Sequence, residues 1–209
     1  MTTGTWTRRT GITVIAVTAI AAMTVPANAR AVTATSTSSV ATATEDVDYA
    51  TWQADCQTVM NQALPYLKKR IASTEPGEKQ AIVFDIDNTT LETDFGFSWP
   101  QPANKPVLAV AKYAQEHGVS LFFVTARLGI IYLPTEYNLE VAGYDVSGLR
   151  VRNLFDLFKD VAAYKTAQRA NIESKGYTII ANIGNSATDL SGGHSEKTYK
   201  LPDYDGQLS

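Results

Sequence analysis

The sequence has very little cysteine. Only Cys56 occurs among the 209 residues, so no disulfide bond can form within the chain. The sequence is therefore compatible with an oxidising compartment, although the chain has no internal disulfide cross-link to benefit from it. Cys56 lies at helical spacing from Trp52 and Met60, and this favours a buried, unreactive thiol.

The chain also lacks a surplus of positive charge. It has 18 Lys and Arg residues against 21 Asp and Glu residues, which gives a formal net charge of -3. Because no cluster of Lys and Arg offers a binding surface for a phosphate backbone, we expect no nucleic-acid partner.

No apolar run is long enough for a comfortable transmembrane helix, which needs about 20 residues. Arg8 and Arg9 precede an apolar stretch over 11–23, and small residues follow at 27–29. This order predicts a signal peptide over 1–29, with an uncleaved membrane anchor as the alternative. The arginine pair fits a twin-arginine signal loosely, so the export route stays open. We expect a secreted protein, extracellular or in the cell envelope, with no stable membrane association after cleavage.

The remaining chain divides into a leader and one domain. Residues 30–44 are almost entirely Thr, Ser and Ala, which predicts a disordered leader. Apolar residues then recur at steps of three and four over 45–72, which predicts an amphipathic helix that Pro65 should kink or divide. We place a single folded domain over 45–209, a length within the usual range for one domain.

Short apolar stretches alternate with helical patterns through this domain. This alternation predicts an α/β fold, a Rossmann-like three-layer α/β/α sandwich with a mainly parallel sheet. Predicted strands cover 81–84, 119–125 and 177–184, with a weaker candidate at 149–154, and predicted helices cover 107–117, 134–142 and 161–173.

Polar residues follow the main strands, at the edge where open α/β sheets collect their chemistry. They are Asp85 and Asp87 after the first strand, Thr125 at the end of the second, and Asn185 and Asp189 after the third, with Lys165 on the preceding helix.

Asp85 and Asp87 place two like charges close together. At a separation of about 4 Å they repel by roughly 4 kcal/mol, so a cation or a proton must offset them. Mg²⁺ prefers such oxygen ligands, and a carboxylate can attack phosphorus while its neighbour transfers protons. A calcium loop also begins this way, but Thr90 and Gly96 stand where it needs glycine and a carboxylate. Two solvated surface aspartates are disfavoured by the apolar run over 81–84.

Four segments, in order, resemble the motifs of the haloacid dehalogenase-like (HAD) hydrolases: FDIDNTTLE, LFFVTAR, YKTAQR and ANIGNSATDL. The similarity is closest to the acid phosphatase branch, subfamily IIIB, which includes the vegetative storage proteins, and it covers roughly 46–209. It implies a Mg²⁺-dependent acid phosphatase that hydrolyses small phosphomonoesters through an aspartyl-phosphate. The implied roles are Asp85 as nucleophile, Asp87 as acid and base, Thr125 and Lys165 as phosphate-binding residues, and Asp85, Asp87, Asn185 and Asp189 as metal ligands.

One position departs from the family pattern. Asn185 stands where the fourth motif usually has an aspartate that binds Mg²⁺. A weakly active or inactive storage or binding protein on the same fold therefore remains the alternative.

The resemblance also raises the question of a cap domain. About 40 residues separate Asp85 from Thr125, and as many separate Thr125 from Lys165. Each gap must hold a core helix, so we predict an open site without a large cap. We expect Trp99, Arg127 and Tyr132 to form the rim of this site and to contact the substrate; the alternative is that they only pack or brace the loops. The sequence does not predict the oligomeric state.

Overall fold

The computed structural model of the chain describes residues 47–96 and 98–208. The predicted signal peptide over 1–29 and the leader over 30–44 lie outside the described residues, so both stay predictions. Within the described ranges, no helix combines the length and the apolar character that crossing a bilayer requires.

A five-stranded parallel sheet forms the centre of the domain, in the order β3-β2-β1-β4-β5. The chain builds outward from β1 to β3 and then crosses back to place β4 on the other side of β1. The strand order therefore reverses between β1 and β4, the position where ligands bind in open α/β sheets. The strands are β1 (Lys79–Phe84), β2 (Ser120–Leu128), β3 (Gly148–Arg152), β4 (Tyr177–Gly184) and β5 (Thr198–Lys200).

Helices cover both faces of this sheet. Alternate side chains of a strand point to opposite faces, and Phe84 packs in one apolar cluster with Trp52 while Val83 packs in a second cluster with Ile172. The predicted three-layer α/β/α sandwich is confirmed. The helices are α1 (Tyr49–Ala72), α2 (Lys105–Glu116), α3 (Tyr132–Ala142), α4 (Val161–Glu173) and the short α5 (Ala187–Leu190).

Of the two expectations for Pro65, a division of the first helix is wrong and a kink stays a prediction. α1 runs through Pro65 as one element, and buried residues occur on both sides of it, from Trp52 to Ile71. An internal proline costs about 3 kcal/mol, but both halves of α1 bury apolar side chains in the same cluster. This shared burial favours a continuous helix over two shorter ones.

The connections between strands stay small. α2 lies between β1 and β2, and α3 lies between β2 and β3. Among the described residues neither connection contains an inserted domain, which agrees with the predicted absence of a large cap.

Candidate active site

A cleft of about 150 Å³ opens at the carboxyl ends of β1 and β4, where the strand order reverses. All four predicted metal-binding residues and the predicted phosphate-binding lysine are among those that line it. The lining residues are Asp85, Asp87, Ala126, Val161, Lys165, Asn185, Ser186, Thr188 and Asp189.

A tight turn after β1 presents the two aspartates. The N–H of Asp85 still pairs with β4, donating to the carbonyl of Ile183 at 3.0 Å. Asn88 then adopts a φ of 50°, a left-handed conformation that asparagine tolerates better than most residues. Three successive N–H groups, from Thr89 to Leu91, donate to the carbonyl of Ile86 and close the turn.

Lys165 binds two buried carboxylates at once. From α4 its Nζ donates to an oxygen of Asp85 and to an oxygen of Asp189, each at 2.5 Å. Burial raises the pKa of Asp85 to about 7, against the opposing attraction of Lys165 and with the added repulsion of Asp189. The pKa of Lys165 is itself raised, because the two carboxylates outweigh its own burial. Lys165 thus offsets the repulsion that the sequence predicted for this region.

Asp87 is paired with Arg127, a contact that no sequence pattern identifies. The guanidinium reaches both carboxylate oxygens, at 2.7 and 3.1 Å, in a bidentate ion pair. Thr93 donates a further hydrogen bond to Asp87 at 2.9 Å. Burial raises the pKa of Asp87, but the hydrogen bond and charge of Arg127 outweigh burial and hold the pKa below its usual value. Arg127 therefore contacts Asp87 directly.

Asp189 is held from two sides. One of its oxygens accepts from Lys165, and the other accepts from the N–H of Ser186 at 2.8 Å, which completes a capping box at the start of α5. Its side chain packs directly on Gly184, where a Cβ atom would overlap it. Each of the two carboxylate oxygens keeps a second lone pair, so Asp189 holds Lys165 and also stays a predicted metal ligand.

The structure gives a physical reason for the amide at position 185. Asn185 Oδ1 accepts from the hydroxyl of Thr89 at 3.2 Å, while Nδ2 donates to the carbonyl of Leu208. The side chain is buried, and an aspartate there would face a carbonyl oxygen without a proton to donate. Asparagine satisfies both neighbours, and its Oδ1 remains an oxygen that a hard cation accepts.

The remaining predicted site residues are Thr125, Trp99 and Tyr132. Thr125 is fully buried, and its Oγ1 accepts from the N–H of Arg127 at 3.2 Å. Trp99 is largely exposed and Tyr132 donates to Glu136; neither lines the cleft. The lip assigned to these two aromatic residues stays a prediction.

The donors at the cleft fit a magnesium ion. Among the described residues, no group of three or more His, Cys, Asp or Glu side chains is arranged to hold a metal ion by itself. Asp85, Asp87 and the amide oxygen of Asn185 face one cleft, and these are hard oxygen donors of the kind Mg²⁺ prefers alongside water.

The chain is similar in sequence to stem glycoproteins of Glycine max. The stem 28 kDa glycoprotein of Glycine max is 29% identical over 175 residues, an alignment that covers 72% of this chain and 67% of that protein. A stem 31 kDa glycoprotein of Glycine max is also 29% identical, and the alignment covers 72% of this chain and 59% of the relative. The chain thus spans about three fifths to two thirds of the length of these relatives.

A solved structure shares the fold at lower identity. The Class C acid phosphatase from Bacillus anthracis superposes with a TM-score of 0.59 at 17% identity, covering 75% of this chain and 80% of that one. The family model described as HAD superfamily, subfamily IIIB (Acid phosphatase), matches residues 1–207. The chain therefore belongs to the acid phosphatases of HAD subfamily IIIB.

Proposed function

We propose that this protein is a secreted, Mg²⁺-dependent acid phosphatase that hydrolyses small phosphomonoesters through an aspartyl-phosphate on Asp85. The observation that carries the proposal is the pair Asp85 and Asp87 at one cleft, each held by its own cation, Lys165 or Arg127. Phosphoryl transfer depends mainly on positioning and on neutralising charge. Family membership supports phosphatase activity, while metal dependence, secretion and mechanism are part of the proposal.

The reaction divides into two displacements at phosphorus. In the first, a carboxylate oxygen of Asp85 attacks phosphorus, the bond to the ester oxygen breaks, and Asp87 gives a proton to the leaving alcohol. In the second, Asp87 takes a proton from water, whose oxygen attacks phosphorus and releases phosphate and the free Asp85 carboxylate. Lys165 keeps Asp85 oriented and neutralises charge in both steps, and Thr125 is proposed to hydrogen-bond the phosphoryl oxygens.

Arg127 gives this scheme a pH dependence. Asp87 must be protonated to act as an acid, and Arg127 holds its pKa below the usual value. Proton donation by Asp87 is therefore favoured at low pH, whereas attack by Asp85, whose pKa is about 7, needs the ionised carboxylate and is favoured as pH rises. Asp85, Asp87 and Asn185 would hold Mg²⁺, which neutralises the phosphate charge when bound.

Hydrolysis of p-nitrophenyl phosphate with and without Mg²⁺ tests the proposal. The wild-type protein should turn over in Mg²⁺ and lose activity in EDTA, and Asp85→Asn should lower kcat more than about 10³-fold. Glu116→Gln, an exposed carboxylate on α2, is the matched control and should behave as wild type. Rapid quenching with ³²P-labelled ester should trap label on the wild-type protein and on Glu116→Gln, but not on Asp85→Asn.

The alternative is a storage or binding protein, and the reason to consider it is the amide at position 185. It predicts equal, low rates for the wild-type protein and for Asp85→Asn. That result would exclude chemistry on Asp85.

A further inference from the structure

An apolar groove lies between the loops that follow β2 and β3. Its volume is about 440 Å³, and it is lined by Leu128, Gly129, Ile130, Arg152, Asn153 and Leu154. Ile130 and Leu154 are 87% and 75% exposed, although large apolar side chains usually avoid water. Exposed apolar surface of this kind, close to a cleft, is typical of a binding site.

The groove and the catalytic cleft are neighbours along β2. On β2, Ala126 lines the cleft and Leu128 lines the groove. Two residues along a strand span at most about 7 Å, so the two spaces lie close together. The loop after β3 leads from Leu154 to Val161, which lines the cleft. A ligand of moderate size can therefore occupy both spaces.

Arg152, the charged residue that lines the groove, already has hydrogen-bond partners within the protein. Arg152 is almost fully buried, and its guanidinium donates to the carbonyls of Asp156 and Lys159, at 3.2 Å and 2.8 Å respectively. It therefore braces the loop and offers little charge to a ligand. The surface left for contact comes from Leu128, Ile130 and Leu154.

The two volumes indicate how a substrate is divided between them. Ligand pockets usually measure about 300–1,000 Å³; the groove falls in this range, whereas the cleft of about 150 Å³ is too small for more than the phosphoryl group. We propose that the groove binds the leaving group of the substrate, and that the preferred substrates are phosphomonoesters of apolar alcohols or phenols. This inference rests on the proposed phosphatase function and names its substrate class.

A series of monoalkyl phosphates from ethyl to octyl, assayed below their micelle concentrations, tests the inference. Each methylene that enters the groove should raise kcat/KM about fourfold until the groove is full. Leu154→Asn should lower the octyl-to-ethyl ratio of kcat/KM at least about tenfold. Val141→Asn, which also replaces an exposed apolar side chain on α3, is the matched control and should keep the wild-type ratio.

A second measurement does not depend on a variant or on turnover. Non-hydrolysable alkylphosphonates should bind the wild-type protein more tightly as the chain grows, as measured by calorimetry in Mg²⁺. Rates and affinities independent of chain length would overturn the groove assignment while leaving the phosphatase function intact.

Two further outcomes are informative. If the protein hydrolyses none of the esters, the phosphatase function is rejected, and the groove assignment is rejected with it. A Leu154→Asn protein that changes from dimer to monomer in sedimentation, with its chain-length dependence intact, would assign this face to a second copy of the chain and overturn the inference.

Discussion

Replacing Lys165 with methionine would leave two buried carboxylates without the cation they share. The side chains of Lys165, Asp85 and Asp189 are only 5%, 7% and 2% exposed, and methionine is similarly long and unbranched, so the main change is the lost charge. Removing one partner of a buried ion pair costs about 3–5 kcal/mol. For a domain of this size that corresponds to a fall in Tm of roughly 6–20 °C.

The loss should depend on pH, with a sign fixed by Asp85. Its pKa is about 7 in the folded protein, above the ordinary value of 3.8, because burial outweighs the attraction of Lys165. A carboxyl group with a raised folded-state pKa loses stability as pH rises from its unfolded pKa through its folded pKa. Without Lys165 the folded pKa of Asp85 rises further. The gap between Lys165→Met and wild type should therefore be small near pH 4 and widest at pH 8.

Thermal unfolding followed by circular dichroism at pH 4.5 and pH 8, in EDTA, measures this gap. Lys175→Met is the matched control, because Lys175 is exposed and surface substitutions usually change stability by no more than about 0.5 kcal/mol. A fall in Tm that is equal at the two pH values, or no larger than that of the control, would refute the reasoning.

Three further substitutions test other contacts of the site. Arg127→Gln should raise the pKa of Asp87, so the alkaline limb of the kcat–pH profile should move to higher pH; an unchanged limb would contradict the role of the ion pair. Gly184→Ala should displace the Asp189 side chain and lower kcat/KM about a hundredfold, with little change in the far-ultraviolet circular dichroism spectrum; wild-type kinetics would show that the close packing is unimportant. Asn185→Asp should tighten Mg²⁺ binding in an activity titration. The same substitution should lower stability in EDTA by about 1–3 kcal/mol, because a buried carbonyl loses its donor; unchanged stability would argue against that contact.

The regular elements with strong patterns are predictable from the sequence, and those set by distant partners are not. α4 and β4 occupy the predicted ranges because their apolar periodicity is sustained over a dozen and eight residues respectively. β5 is not predictable, since its three residues are recognisable as a strand only through pairing with β4. At Pro65 the local sequence signal predicts a helix break, but packing along the whole of α1 outweighs that signal.

The candidate site shows the same division. Placing polar residues at the carboxyl ends of strands is enough to bring Asp85 and Asn185 to one cleft, whereas Lys165 on α4 is predicted through the resemblance to the HAD motifs. The partner of Asp87 is not predictable, because Arg127 reaches it from a part of β2 that continues past Thr125 and rejoins β3 at Leu128. A basic residue two positions after the predicted strand end is a usable signal, although it does not distinguish a ligand for phosphate from a partner for aspartate.

The hydrogen bond between Asn185 and the carbonyl of Leu208 has a practical consequence for handling the protein. Leu208 is packed into the main core, and its carbonyl fixes a side chain that lines the cleft. Trimming this stretch, or attaching a purification tag or a solid support to it, would disturb the contact that holds the Asn185 side chain. Preparations modified there would report on the modification as much as on the protein.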